Sequence, residues 1–322
     1  RRGLPRRRAG GATEGAVRAG GLLLVVLVAL QASAFAERPV DGEVPPCSPS
    51  VVAAHPSGER LFVADVTRGR VLTVDASTRK VSVLLEVEGP TGLAVTPDGA
   101  VLFVTSHGAP GSLHRHDLGT GETRTVSAVG PHPTAPVVSP DGARLWVSGR
   151  FTSEVEVRDA RTLEIEGRIA MPREPIAAAR TPDGTRLVVG QHLPEGSADR
   201  GIVATQVHLI DTGTCAVETS VRLPNGSTSL RAVCVSPGGR YAFATHILAR
   251  YTVPTTQIEL GCINTNALSI LDLVEQDLLG TVLLDDVGRG AANPWGGEAT
   301  PDGKHLVVAH AGTHELSVID LP

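Results

Sequence analysis

From residue 47 onward, apolar and polar residues alternate in short runs, as in Arg60-Leu61-Phe62-Val63, Arg144-Leu145-Trp146-Val147 and His305-Leu306-Val307-Val308. A period of two predicts strands with one face buried. No stretch beyond the N-terminus keeps a 3.6-residue apolar period, so long helices are not expected. A turn tripeptide recurs between the strands: Pro56-Ser57-Gly58, Pro97-Asp98-Gly99, Pro140-Asp141-Gly142, Pro182-Asp183-Gly184, Pro237-Gly238-Gly239 and Pro301-Asp302-Gly303. Proline presets φ at the first corner and glycine supplies a positive φ at the exit, which is hairpin chemistry.

A second mark lies downstream. A strand ends in Asp at 75, 117, 159, 211, 272 and 320. These carboxylates suit acceptance of backbone N–H bonds at the next turn and are not read as catalytic. A fourth strand follows in most units, as over 80–87 and 164–171. Four antiparallel strands per repeat of about 42 residues is the blade of a β-propeller. The prediction is therefore an all-β propeller of four-stranded antiparallel blades. Six repeats are visible, and the sixth stops after its third strand. That predicts a last blade one strand short, a chain truncated at its C-terminus, and an intact ring of seven blades.

The Pro-Asp-Gly and strand-closing Asp cadence resembles the YVTN repeat. That superfamily includes YncE-type proteins, the methylamine dehydrogenase heavy chain and lactonase-like propellers. The likeness spans residues 46–322 and implies fold more than activity, because propellers host many roles.

Composition adds limits. Aromatics are only 3% of residues, so the core must come from Val, Leu, Ile and Ala. Residues 1–36 read as an export signal, with six Arg, an apolar run over 22–30 and an Ala34-Phe35-Ala36 cleavage point. That makes 37–322 the propeller and the protein periplasmic, extracellular or cell-surface. A nine-residue run is short for a membrane span, so no span is expected after cleavage. The segment beyond Ala36 carries 23 basic and 33 acidic residues, which disfavours nucleic acid as partner. Cys47, Cys215, Cys234 and Cys262 allow three disulfide pairings, with Cys234 reading as a buried thiol. No C-x-x-C-H occurs, so no cofactor is expected in this chain. A haem would belong to a further domain.

The distance from the turn Pro to the strand-closing Asp is 19, 20, 19, 29, 35 and 19 residues along the six repeats. Blades four and five thus carry long loops between their second and third strands, where propellers place function. The blade-five insertion includes His246, Arg250, Tyr251, Cys262, Asn264 and Asn266. The segment leading into blade six holds Arg289, Asn293 and Trp295. This pair of segments resembles propellers joined to MauG-type di-haem peroxidase domains. His107, His192, His246 and His310 follow their turn Pro by nine or ten residues, and His132 lies before blade three. Arg150, Arg173, Arg231, Arg250 and Arg289 fall on the same rim and suit clamping of a carboxylate. These residues make up the expected rim for a protein partner or small polar ligand, with His246 and His310 as metal candidates. His246, Arg250, Tyr251, Asn293, Trp295 and His310 are expected to converge.

Three readings follow: an exported binding or scaffold propeller, alone or as part of a redox protein; a lactonase-like hydrolase using rim His and Arg; and a structural surface repeat protein. No G-x-S-x-G, H-E-x-x-H or P-loop favours the enzyme.

Overall fold

A computed structural model of the protein describes residues 7–8 and 47–321, without 129, 198, 200, 252–255, 257–262, 286–289 and 291. The export signal expected over 1–36 lies outside the described residues, apart from 7–8. So do Cys262 and Arg289.

Every regular element among the described residues is a strand. β1 is a two-residue strand, Arg7–Arg8. Blade one holds β2 (Pro49–Ala54), β3 (Arg60–Asp65), β4 (Arg70–Asp75) and β5 (Val81–Glu86). Blade two holds β6 (Pro90–Val95), β7 (Val101–Ser106), β8 (Ser112–Asp117) and β9 (Thr123–Ser127). Blade three holds β10 (Pro133–Val138), β11 (Arg144–Gly149), β12 (Glu154–Asp159) and β13 (Ile165–Ala170). Blade four holds β14 (Pro175–Arg180), β15 (Arg186–Gln191), β16 (Gln206–Asp211) and β17 (Ala216–Arg222). Blade five holds β18 (Ser227–Val235), β19 (Tyr241–Ala249), β20 (Asn264–Asp272) and β21 (Asp277–Leu283). Blade six holds β22 (Pro294–Ala299), β23 (His305–His310) and β24 (Glu315–Asp320), with β1 added outside β24. All sheets are antiparallel and follow chain order, so the fold is a β-propeller of six four-stranded blades.

The sixth blade corrects the sequence reading. Its sheet has four strands rather than three, because Arg7 pairs with Ile319 and Arg8 with Val318. An open strand edge is a row of unpaired N–H and C=O groups that recruits any segment within reach.

The chain forms two compact units, one with blades one to three and one with blades four to six and β1. Within each unit the core lies between neighbouring blades. Phe62, Leu93 and Val104 fill the space between blades one and two, and Phe103, Leu113, Leu145 and Val147 that between two and three. In the other unit, Val188, Leu209, Leu230 and Val233 pack between blades four and five. Phe243, Leu268, Leu306 and Val308 pack between five and six. Mostly aliphatic side chains carry these cores, as the composition requires.

Each blade has two ends. The turn end carries the Pro-Asp-Gly hairpins and the turns opened by the strand-closing Asp residues. The loop end carries the second-to-third-strand loops and the segments joining blades. At the loop end all six first strands slip register, between Pro49 and Val51, Pro90 and Gly92, Thr134 and Val137, Pro175 and Ala177, Thr228 and Ala232, and Pro294 and Gly296. Such bulges re-aim side chains and are common beside binding sites. Proline begins five of these strands, where a missing ladder N–H costs least.

Candidate functional site

The repeated Asp residues act locally. Asp75 accepts from the backbone N–H groups of Ser77 and Thr78 at 3.0 and 2.7 Å, and these bonds hold its carboxyl at about 2. Asp117, Asp159, Asp211 and Asp272 open their turns in the same way. In the Pro-Asp-Gly turns, Asp98 accepts from Thr96 Oγ1 at 2.5 Å and from the Ala100 N–H at 3.0 Å.

A buried polar tier crosses the blades. Three residues before the closing Asp stand His114, Glu156, His208, Ser269 and Ser317, and only blade one has an apolar residue there, Leu72. Each partner on the second strand lies two residues beyond the directly opposed position. Ser106 Oγ is 3.0 Å from His114 Nε2, Gln191 Oε1 is 3.2 Å from His208 Nε2, His246 Nε2 is 2.9 Å from Ser269 Oγ, and His310 Nε2 is 2.9 Å from Ser317 Oγ. The fourth strand continues the chain through Thr125, Ser220 and Thr281. In blade three, Glu156 instead meets Arg158 at 2.5 Å and Arg168 at 3.3 Å.

This tier sorts the histidines that the sequence placed in one register. His246 and His310 follow their turn Pro by nine residues, lie inside the sheet and are buried. Burial pushes His246 down to about 4. His107 and His192 follow by ten, and a shift of one residue reverses the direction of the side chain. His192 is buried, with Nδ1 2.9 Å from the Leu230 carbonyl. His107 alone of the four is exposed. Among the described residues no three His, Cys, Asp or Glu side chains are grouped to hold a metal. The thiols of Cys47, Cys215 and Cys234 are free, with Cys234 buried.

The exposed aromatic side chains mark the loop end. The chain has five Phe, two Tyr and two Trp. Phe62, Phe103, Phe243 and Trp146 are buried. Phe151, Tyr251 and Trp295 are 58%, 47% and 42% exposed, and all three stand at the loop end of their blades. In blades two and three, the rings of His107 and His132 lie nearly parallel at 6.3 Å. His132 meets Phe151 at 5.7 Å, and the Arg150 guanidinium covers Phe151 at 4.9 Å. Burial, Arg150 and His107 hold His132 below its ordinary value. In blades five and six, the Arg231 guanidinium on β18 covers the Trp295 ring at 4.7 Å. Both contacts have cation–π geometry. The sequence reading singled out His107, His132, Arg150, Arg231 and Trp295 but missed Phe151. Its only signal was an aromatic immediately after a second strand.

Each of the six residues expected to converge has local partners. Tyr251 turns toward blade four and donates to Asn225 Oδ1 at 2.7 Å, the same oxygen that accepts the Val203 N–H at 2.9 Å. Arg250 closes the base of the insertion, its N–H donating to the Ile263 carbonyl at 2.6 Å, and Asn264 pairs with Ala249. Asn293 is held through its N–H, which donates to Asn266 Oδ1 at 3.1 Å. Asn266 in turn donates through N and Nδ2 to Asp285 at 2.6 and 2.9 Å. Trp295 stands with Arg231, while His246 and His310 are enclosed in the polar tier. Arg173 donates to the Pro194 carbonyl at 2.8 Å.

No family model matches the chain. It is similar to hydrazine synthase subunit beta of Kuenenia stuttgartiensis, 28% identical over 121 residues, which cover 38% of this chain and 31% of that protein. It is also similar to antigen Lp49 of Leptospira interrogans, 28% identical over 164 residues, covering 47% of this chain and 35% of the antigen. Each alignment spans only about a third of the relative's length. Among solved structures, a chain of Kuenenia stuttgartiensis hydrazine synthase superposes with a TM-score of 0.77 at 26% identity, covering 88% of this chain and 80% of that one.

Proposed function

We propose that this chain is a binding or scaffold module that engages a protein partner through the loop end of its blades. The carrying observation is the placement of Phe151, Tyr251 and Trp295 at the loop end, two of them under arginines, whereas the other aromatics among the described residues are buried or half-buried. Aromatic and Arg side chains are the usual anchors of protein interfaces. The similarity to a protein named as a subunit of hydrazine synthase supports a role beside other chains. The basic, apolar and Ala-x-Ala segments at the N-terminus support export, and with it a periplasmic or surface location, in which case cleavage after Ala36 removes β1 and leaves blade six with three strands. Membership of a redox assembly is the finer form of this reading, and it rests on the resemblance to haem-linked propellers.

A photo-crosslinking residue tests the proposal. Placed at Phe151 or Trp295 in the host cell, it is expected to trap a discrete protein adduct. Placed at Val83 or Leu279, which are also exposed and apolar but lie on fourth strands, it is expected to trap none. Equal trapping at all four positions, or none at Phe151 and Trp295, rejects the loop end as the binding face.

A further inference from the structure

We propose that the turn end of blades two and three holds a binding site for a phosphate group. The β8–β9 register sets Arg115 directly opposite Arg124. Like charges facing each other across a sheet are destabilising. A third guanidinium, that of Arg161, comes from the turn that follows Asp159 in blade three. Two adjoining clefts of about 270 and 490 Å³ share Arg115 and Arg161, and the larger is also lined by Arg124. Val101 and Phe103 line the smaller cleft and lower its local dielectric.

Asp98 and Asp117 feel the charge of Arg115, and Asp159 that of Arg161, but no carboxylate among the described residues is ion-paired with this cluster. Among the described residues, Arg115, Arg124 and Arg161 form no ion pair, whereas Arg70, Arg158, Arg186 and Arg240 each do. The buried Nε of Arg115 has no hydrogen-bond acceptor among the described residues. Asp98 and Asp141 line the smaller cleft, but both accept from their own turns, Asp141 from Ser139 Oγ at 2.5 Å and the Ala143 N–H at 3.0 Å. Glu122 is the one carboxylate lining the larger cleft, against three guanidinia. The whole chain carries a net charge of −5, so this is a local feature rather than a general basic surface. Three planar cations around one cleft suit an anion that accepts several forked hydrogen bonds and carries more than one charge. A phosphate group meets both requirements, whether it is free, part of a soluble ester or a lipid headgroup.

The site lies at the opposite end of these blades from Phe151 and is independent of partner binding there. Calorimetry on the purified chain in phosphate-free buffer, with inorganic phosphate and pyrophosphate as probes, tests it. Arg124 and Arg161 are exposed, so Arg124→Gln and Arg161→Gln should leave the fold intact, and Arg60→Gln on β3 serves as control. Saturable binding is expected, weakened about tenfold or more by each cleft substitution and unchanged in the control. Bound pyrophosphate should raise the melting temperature of the parent chain but not of the two cleft variants. Flotation with phosphatidylcholine vesicles, with and without phosphatidic acid, separates the sources. Binding confined to phosphatidic acid vesicles and lost in the same variants assigns a headgroup. Binding of the free ions alone assigns a soluble phosphate. Absence of saturable binding to every probe, or binding that neither substitution weakens, overturns the proposal.

Discussion

At the position three residues before each closing Asp, the side chain decides how the protein responds to acid. His208 there is fully enclosed, hydrogen-bonded to Gln191 and Ser220, and burial pushes it down to about 4. His246, its diagonal counterpart in blade five, is also at about 4. Both lie below the ordinary value of 6.5, so the unfolded chain takes up these protons first as pH falls. The stability they confer is complete above about pH 6.5 and is lost progressively down to about pH 4, by about 3 kcal/mol for each histidine. Urea unfolding at pH 7.5 and 4.5 should show this loss, and His208→Gln should show a smaller one. An equal loss in the variant refutes His208 as a source. Acid loss from Asp75 falls in a lower window, between about pH 4 and 2, because its folded carboxyl sits at about 2. Gly226 shows a different constraint. Its φ is +90°, and a Cβ there would lie 2.0 Å from the Ala249 carbonyl oxygen. Gly226→Ala should cost about 2 kcal/mol or more, read as a lower urea midpoint, because a backbone atom must move.

At the scale of elements, the loop end is organised by side chains that bridge segments distant in sequence. Asn266 at the base of the blade-five insertion joins Asp285, at the exit of that blade, to Asn293, which leads into β22 and Trp295. Asn266→Ala removes the side-chain donor to Asp285 and the acceptor for Asn293. It is expected to lower stability by about 1–3 kcal/mol. Amide exchange at Asn293 should rise with it, while exchange in β19 stays unchanged. Exchange rising equally in both would instead mean that the insertion and blade five open together.

At the scale of the molecule, stability comes from contact between neighbouring blades. Leu230 of β18 shows this, because it fills the space over Gly190 of blade four, where a Cβ would come within 2.4 Å of its Cδ2. Leu230 is fully buried, so Leu230→Ala should cost about 2–5 kcal/mol in denaturant unfolding. A cost under about 1 kcal/mol would show that the interface between blades four and five relaxes to fill the space. The sequence alone determined the blades. Turn residues and a period of two are local properties, so the Pro-Asp-Gly tripeptides and closing Asp residues located the strands of the blades, except the one that completes blade six, without reference to distant contacts. They also marked out the lengthened loops of blades four and five. Tertiary structure decided the rest. A spacing of nine or ten residues looks alike on paper, yet one step turned His246 and His310 into the polar tier and left His107 on the surface. Pairing across long separations also lay beyond local rules. Arg7 and Arg8 close blade six across about three hundred residues, Arg231 finds Trp295, and Arg115 and Arg124 meet Arg161 only because blades two and three pack together.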